Sequence, residues 1–149
     1  MNTDQIIALC DQVQETAYAV HEYHGNGYLE KVYENALSHR LRKTGLDVKQ
    51  QHRLLIYDED GTEIGEYYAD LFIEDELIVE LKACKTITAE HQAQLIHYLK
   101  GAGKEHGLLI NFGSYKFEIK KFAKSKKTVS QAAGLIPVLF FAISAFFRG

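Results

Sequence analysis

"ADLFIEDELIVELKA", Ala69 to Ala83, decides how this chain is read. Apolar side chains recur at Leu71, Ile73, Leu77, Val79 and Leu81, the alternation of two half-buried strands. The acidic triplet Glu74-Asp75-Glu76 between them predicts a tight turn. Charge interrupts the apolar plan at three places: Asp70, Glu80 and Lys82. Glu80 and Lys82 are two apart, so on a strand they point to the same side. With the turn centred on Asp75, antiparallel pairing sets Asp70 level with Glu80.

Two carboxylates meeting in a partly buried site repel each other and raise a pKa unless a cation intervenes. A divalent ion is the simplest such cation. Oxygen donors without a cysteine cluster favour Mg²⁺ or Mn²⁺ over Zn²⁺. Lys82, one pleat further on, could then reach a water or a phosphate oxygen beside that ion. Such a site suits in-line displacement at a phosphoryl group. Glu-x-Lys alone is a weak signal, since an ordinary strand-edge ion pair has the same spelling. Asp plus Glu-x-Lys on consecutive strands is stronger.

Working outward, the chain of 149 residues suits one domain, and 46% apolar residues suffice for a core. Cys10 and Cys84 stand far apart in no metal spacing, so free thiols in a reducing cytoplasm are expected. The opening "MNTDQIIALCDQVQE" carries acids where a secretion signal has basic residues. The net charge of −3 conceals an asymmetry: residues 1–80 hold 6 basic and 17 acidic side chains, and residues 81–149 hold 11 and 3. The second half could face a polyanion, or the halves could neutralise each other in the fold.

Residues 4–23 have apolar positions at helical spacing, and "HGNG" (24–27) ends that helix. A second helix is expected from Gly27 to the "KTG" stop at Gly45. Residues 48–75 predict a hairpin joined by "DEDG", residues 76–83 a third strand, and residues 88–99 a helix ended by Gly101 and Gly103. "EHGLLINFGS" and "YKFEIKKF" follow as two more strands. The order α-α-β-β-β-α-β-β gives a mixed α/β domain over 1–123 with one helical crossover. Residues 124–149 form a basic linker and then 16 apolar residues, "AAGLIPVLFFAISAFF" (132–147). That run is short for a spanning helix, which takes about 20 residues. Membrane-surface contact, docking on its own domain and an oligomer contact all stand open.

Outside the strands, "GYLEKVY" puts Glu30 and Tyr33 three apart on one helix face. Glu30 in a first turn is favoured by the helix dipole, and Tyr33 reads as a core aromatic. On the crossover helix Gln94 and Tyr98 share a face with His91. Gln94 could bond a phosphate, a base edge or Lys82, or simply lie on a solvated face.

Taken together, "GYLEKVY", "YYADLFIEDELIVELKACK", "EHQAQLIHYLK" and "HGLLINFGSYKFEIKK" resemble the GxxExxY family, a branch of the PD-(D/E)xK nuclease superfamily, over roughly residues 5–122. The resemblance implies a restriction-endonuclease-like core: a mixed sheet of four or five strands flanked by helices. It implies that Asp70 is the first acid, Glu80 and Lys82 the (D/E)xK pair, Glu30 a helix acid completing the metal site, and the Leu81 carbonyl a further ligand. It makes Gln94 the polar residue of the following helix, with Tyr98 near it. Mg²⁺, or Mn²⁺, is the implied cofactor and nucleic acid the implied partner. Three departures stand out: Ala69 replaces the proline of the superfamily name, Tyr68 stands where relatives have a basic residue, and Gln92 where Glu is frequent.

Two function classes follow. A metal-dependent nuclease acting on DNA uses all four charged positions, with Lys116, Lys120, Lys121, Lys124, Lys126 and Lys127 as a phosphate-tracking surface and a homodimer to embrace a duplex. A catalytically inactive nuclease-like module, membrane-associated or part of an assembly, would use the apolar tail instead.

Overall fold

The computed structural model describes residues 1–124 and 140–146, the latter as backbone. Two helices, α1 (Thr3–His24) and α2 (Glu30–Lys43), precede strands β1 (Val48–Tyr57), β2 (Glu63–Ile73) and β3 (Leu77–Lys82). Helix α3 (Ala89–Gly101) then crosses to β4 (His106–Asn111), followed by β5 (Glu118–Lys124) and β6 (Phe140–Phe146). The strands lie in chain order in one sheet. Every neighbouring pair is antiparallel except β3–β4, the parallel pair joined by α3.

Local chemistry explains the helix ends. Asn2 and Gln5 form a reciprocal capping box at the start of α1, with side-chain bonds of 2.9 and 2.8 Å. Gly25, at φ +72°, stops that helix. Thr88 and His91 cap α3 in the same manner. Helix α2 begins at Glu30 with Leu29 as its cap, three residues later than Gly27, and no side chain caps it.

Two apolar cores sandwich the sheet. On one face α1 and α2 bury Ile6, Leu9, Val13, Ala17, Tyr33, Leu37 and Leu41 against Leu71, Ile73, Val79 and Leu81. On the other face α3 buries Leu95 and Leu99 against Phe72, Ile78 and Leu109. Each fully buried Leu or Ile contributes about 1.5–3 kcal/mol of transfer free energy, which anchors the strands that carry the charges.

The β2–β3 turn is tight. Glu74 and Asp75 both take φ +54°, and the Glu76 N–H donates to the Ile73 carbonyl at 3.1 Å. That is the twisted turn that suits a hairpin. Left-handed backbone is costly for these residues, by about 1–2 kcal/mol each. Tertiary bonds hold it: Glu74 accepts from the Asp47 N–H at 2.7 Å, and Asp75 pairs with Lys49. The resulting register is Ile73↔Leu77, Phe72↔Ile78 and Leu71↔Val79, and its continuation sets Asp70 opposite Glu80.

The sheet has six strands, one more than the upper bound expected. The extra strand comes from the apolar tail: Phe140–Phe146 pairs antiparallel with all of β5. The described part of the tail thus lies on the sheet edge of its own chain. Residues 125–139 and 147–149, with Lys126 and Lys127 of the expected basic surface, lie outside the described residues. Among the described residues no helix is long and apolar enough to cross a membrane.

Candidate active site

Strands β2 and β3 stop pairing by backbone where the charges begin. Beyond Leu71↔Val79 the ladder is taken over by side chains. The Leu81 N–H donates to Asp70 Oδ2 at 2.8 Å, and the Asp70 N–H donates to Glu80 Oε1 at 3.2 Å. Each carboxylate accepts a bond that a strand carbonyl ordinarily takes. The two strands separate there and hold both acids level.

A second break lies on β1. Gln51 has φ +48° and sits across from Asp70 between the pairs Gln50↔Leu71 and His52↔Ala69. Face assignment reverses at this point. Leu71 and Ile73 lie in the α1–α2 core, whereas Tyr67 and Ala69, of the same parity, lie in the α3 core. Val48 and Leu54 divide in the same way on β1. A strand of strict period two cannot do that, so the break re-aims Asp70. Gln51 Nε2 then donates to Asp70 Oδ1 at 3.0 Å and to Glu34 Oε1 at 2.6 Å. Glu34 is buried, and its carboxylate is satisfied by Gln51, Gln50 and Lys31.

Glu80 is fixed from the other face. Tyr67 donates its hydroxyl to Glu80 Oε1, and the Tyr67 ring stacks on Tyr98 of α3, centroids 3.7 Å apart and 9° from parallel. Lys82 is half-buried and makes no salt bridge among the described residues. Glu30 completes the constellation at the first turn of α2, where it feels the charges of Asp70, Lys82 and Glu34.

Tyr33 explains how Glu30 is presented. The Tyr33 ring is fully buried and stacks on Phe112 at 4.7 Å. Its hydroxyl donates to the Gly25 carbonyl at 2.6 Å and accepts from the Tyr28 N–H at 3.1 Å. Tyr33 therefore pins the loop that leads into Glu30 and stands in the core. Gln94 is exposed one turn before Tyr98, and its side chain makes no hydrogen bond among the described residues. Lys116 is exposed in the loop before β5, and Lys120 is half-buried opposite Leu109. Both belong to the β5 region, two strands from β3, so they do not join Asp70 and Glu80. Lys121 is held by Asp11 at 3.0 Å, which breaks up the expected lysine stripe.

Burial, and then the Asp70 charge, push the Glu80 carboxyl up to about 8. Burial followed by Asp70 also raises Glu30. Burial and the adjacent Glu80 raise the Tyr67 phenol, which stays a donor. Among the described residues no three His, Cys, Asp or Glu side chains are placed to hold a metal ion. The donor set nonetheless fits a hard cation. Asp70 and Glu80 offer unused lone pairs, and Mg²⁺ binds through one or two carboxylates while keeping several waters. The N–H and C=O of a strand residue leave by the same edge, so the Leu81 carbonyl faces the Asp70 side as well.

The raised Glu80 pKa makes a prediction for the protein in chelator. The folded state keeps a proton between about pH 4.5 and 8 that the unfolded chain releases. Stability is therefore greater below that window and falls as pH rises through it. At about 1.4 kcal/mol per pH unit the loss across that window should be on the order of 5 kcal/mol, or roughly 15 °C in thermal midpoint. Glu80→Gln should flatten the fall. A native profile no steeper than that of the variant would show that Glu80 is not held protonated.

A mixed sheet whose antiparallel pair opens on Asp and Glu-x-Lys defines a class, and comparison agrees with it. The sequence profile of the PD-(D/E)XK nuclease superfamily matches residues 8–122. The chain belongs to that superfamily, whose nucleases use divalent metal ions. No curated protein and no solved structure matches it. Sequence reading missed Gln51, Glu34 and Tyr67, whose only local signals are polar residues within apolar patterns.

Proposed function

We propose that the chain is a metal-dependent nuclease of the GxxExxY branch that hydrolyses phosphodiester bonds in DNA by an activated water. The observation that supports this best is the opening of the β2–β3 pair at Asp70 and Glu80, with Lys82 on the same side as Glu80. Asp70 is clamped by Leu81 and Gln51, and Glu80 by Tyr67 and the Asp70 amide. Neither carboxylate has to reorganise on binding its cation, the condition for strong electrostatic catalysis. Asp70 and Glu80, with the Leu81 carbonyl, would hold Mg²⁺ or Mn²⁺, and Glu30 would add its charge from the first turn of α2. When bound, that ion supplies charge to polarise the phosphate and lower the pKa of a water. Lys82 brings an ammonium that orients the attacking water and stabilises charge on the phosphoryl oxygens. The Tyr67–Tyr98 stack shields the Glu80 side from solvent.

The test is cleavage of plasmid, linear duplex, single-stranded DNA and RNA with Mg²⁺, Mn²⁺ or chelator. Metal-dependent cutting of DNA is the expected result. Cutting of RNA alone would reassign the substrate. No cutting, together with no Mg²⁺ or Mn²⁺ binding by calorimetry, would leave the chain a nuclease-like scaffold without activity.

A further inference from the structure

Helix α2 carries a basic face that the catalytic constellation does not use. Asn35, His39, Arg42 and Lys43 follow at i, i+4, i+7 and i+8, so they share one side of the helix. With Gln50 of β1 they line an open cleft of ≈ 490 Å³. The surrounding half of the chain is strongly acidic, with 17 acids against 6 bases in residues 1–80. Two of those six bases line this one cleft.

Their charge is not spent within the fold. Arg42 donates only to neutral acceptors: Nε and Nη2 to the Val48 carbonyl at 3.2 and 2.6 Å, and Nη1 to Gln50 Oε1 at 3.0 Å. The guanidinium is held in place while its positive charge stays uncompensated. Lys43 is exposed and makes no ion pair among the described residues. Basic residues in a last helical turn do complement the helix dipole, but that amounts to roughly half a charge. Arg42 and Lys43 bring two, with His39 beside them. Among the described residues no acid lines the cleft, and Glu34, which Gln50 bonds, is already satisfied by Lys31, Gln50 and Gln51.

A chain of side-chain hydrogen bonds also links the cleft to the acids of the proposed site. Gln50 Nε2 donates to Asn35 Oδ1 at 2.9 Å and to Glu34 Oε2 at 2.7 Å, and Gln51 joins Glu34 to Asp70. By helix rise, Asn35 stands about 8 Å and Lys43 about 20 Å along α2 from Glu30. That reach is too long for the scissile phosphate and suits phosphates flanking it.

We propose that the α2–β1 cleft binds backbone phosphates of the nucleic-acid strand that runs through the active site, a few nucleotides from the scissile bond. The inference rests on the nucleic-acid substrate proposed above. Its experiment separates the two. Labelled oligonucleotide DNA, single-stranded and duplex, is titrated in chelator over a series of salt concentrations and followed by fluorescence anisotropy. Native protein is compared with Lys43→Glu, His39→Ala and Lys43→Arg, all at exposed positions; Arg42 is left intact because it also ties Val48. Lys43→Glu should weaken binding about tenfold and lower the log–log salt slope by about 1, and Lys43→Arg should restore both. In the cleavage assay the loss should appear in KM for long DNA and not in kcat. Native protein that cuts DNA, with variants that bind like native, overturns the cleft alone. DNA binding that weakens in Lys43→Glu, without any cutting by native protein, upholds the cleft and sinks the nuclease. Native protein with no affinity for DNA overturns both.

Discussion

Lys82→Ala and Glu80→Ala should each lower metal-dependent cleavage by about a thousandfold or more and leave the fold in place. The size follows from what each side chain does. Glu80 is one of two carboxylates standing level across a broken strand pair, and on the proposed site a cation held without it would lose half the carboxylate support of that pair. Removing a preorganised charge aimed at a developing oxyanion costs roughly 10²–10³ in rate, and loss of the ion itself costs more. The fold should survive because neither side chain belongs to either apolar core. Glu80→Ala even removes a buried acid held beside Asp70 against its preference for water. Because the Tyr67 hydroxyl and the Asp70 N–H lose their acceptor at the same time, the two effects oppose each other and the variant is expected to melt within a few degrees of native protein in chelator. The two measurements are turnover on the best substrate and thermal midpoint by circular dichroism. A variant that keeps native turnover would remove Glu80 or Lys82 from the mechanism. One that loses turnover only because it unfolds would make the residue structural.

Gly113→Ala should be the most destabilising single methyl addition near the site, by about 3–5 kcal/mol. A Cβ on Gly113 would sit 2.3 Å from the Cys84 nitrogen, 2.4 Å from the Ala83 carbonyl carbon and 2.6 Å from the Cys84 oxygen. All three are backbone atoms, so no side chain can rotate away. The contact is locked from both sides. The fully buried Asn111 accepts from the N–H groups of Cys84 and Gly113 and donates to the Cys84 carbonyl and Glu118. Asn26 donates to the Gly113 carbonyl. Relief would have to move Ala83 and Cys84, the residues directly after Lys82. The expected result is a thermal midpoint lower by roughly 10–20 °C and reduced turnover even where the variant is folded. Gly65→Ala is the control, since nothing lies within 4 Å of its Cβ position and its backbone is unstrained. Equal midpoints for the two variants would show that β4 and the β3–α3 connection do not pack this closely.

The division between sequence and structure runs through particular residues. The apolar alternation from Leu71 to Leu81 and the short acidic turn were sufficient to set Asp70 level with Glu80, because a hairpin turn fixes its register. The helix caps at Gly25 and Thr88 were equally local. Glu30 was legible only through a motif. Its place beside Asp70 depends on Tyr33 holding the preceding loop and on α2 packing against the sheet.

Gln51, Glu34 and Tyr67 were not legible, for one reason. Each acts across strands or layers, on a partner 13 to 19 residues away. Gln51 also needs a left-handed backbone that nothing in "KQQHR" announces. The reversal of sheet faces at Gln51 and Asp70 violates the periodicity from which strands are read. The α2–β1 cleft was hidden because Arg42 and Gln50 meet only when α2 folds back on β1. The tail showed its apolar character in composition, but only the free edge of β5 determined that Phe140–Phe146 would pair there.

By itself, then, the sequence determined the elements of residues 1–124, the hairpin register and the identity of the charged triad, because each rests on contacts a few residues long. The tertiary structure decided where the strands part, which polar side chains clamp the acids, and which lysines stand near them. Those depend on layers packed from distant segments, and no local pattern encodes the distance between segments.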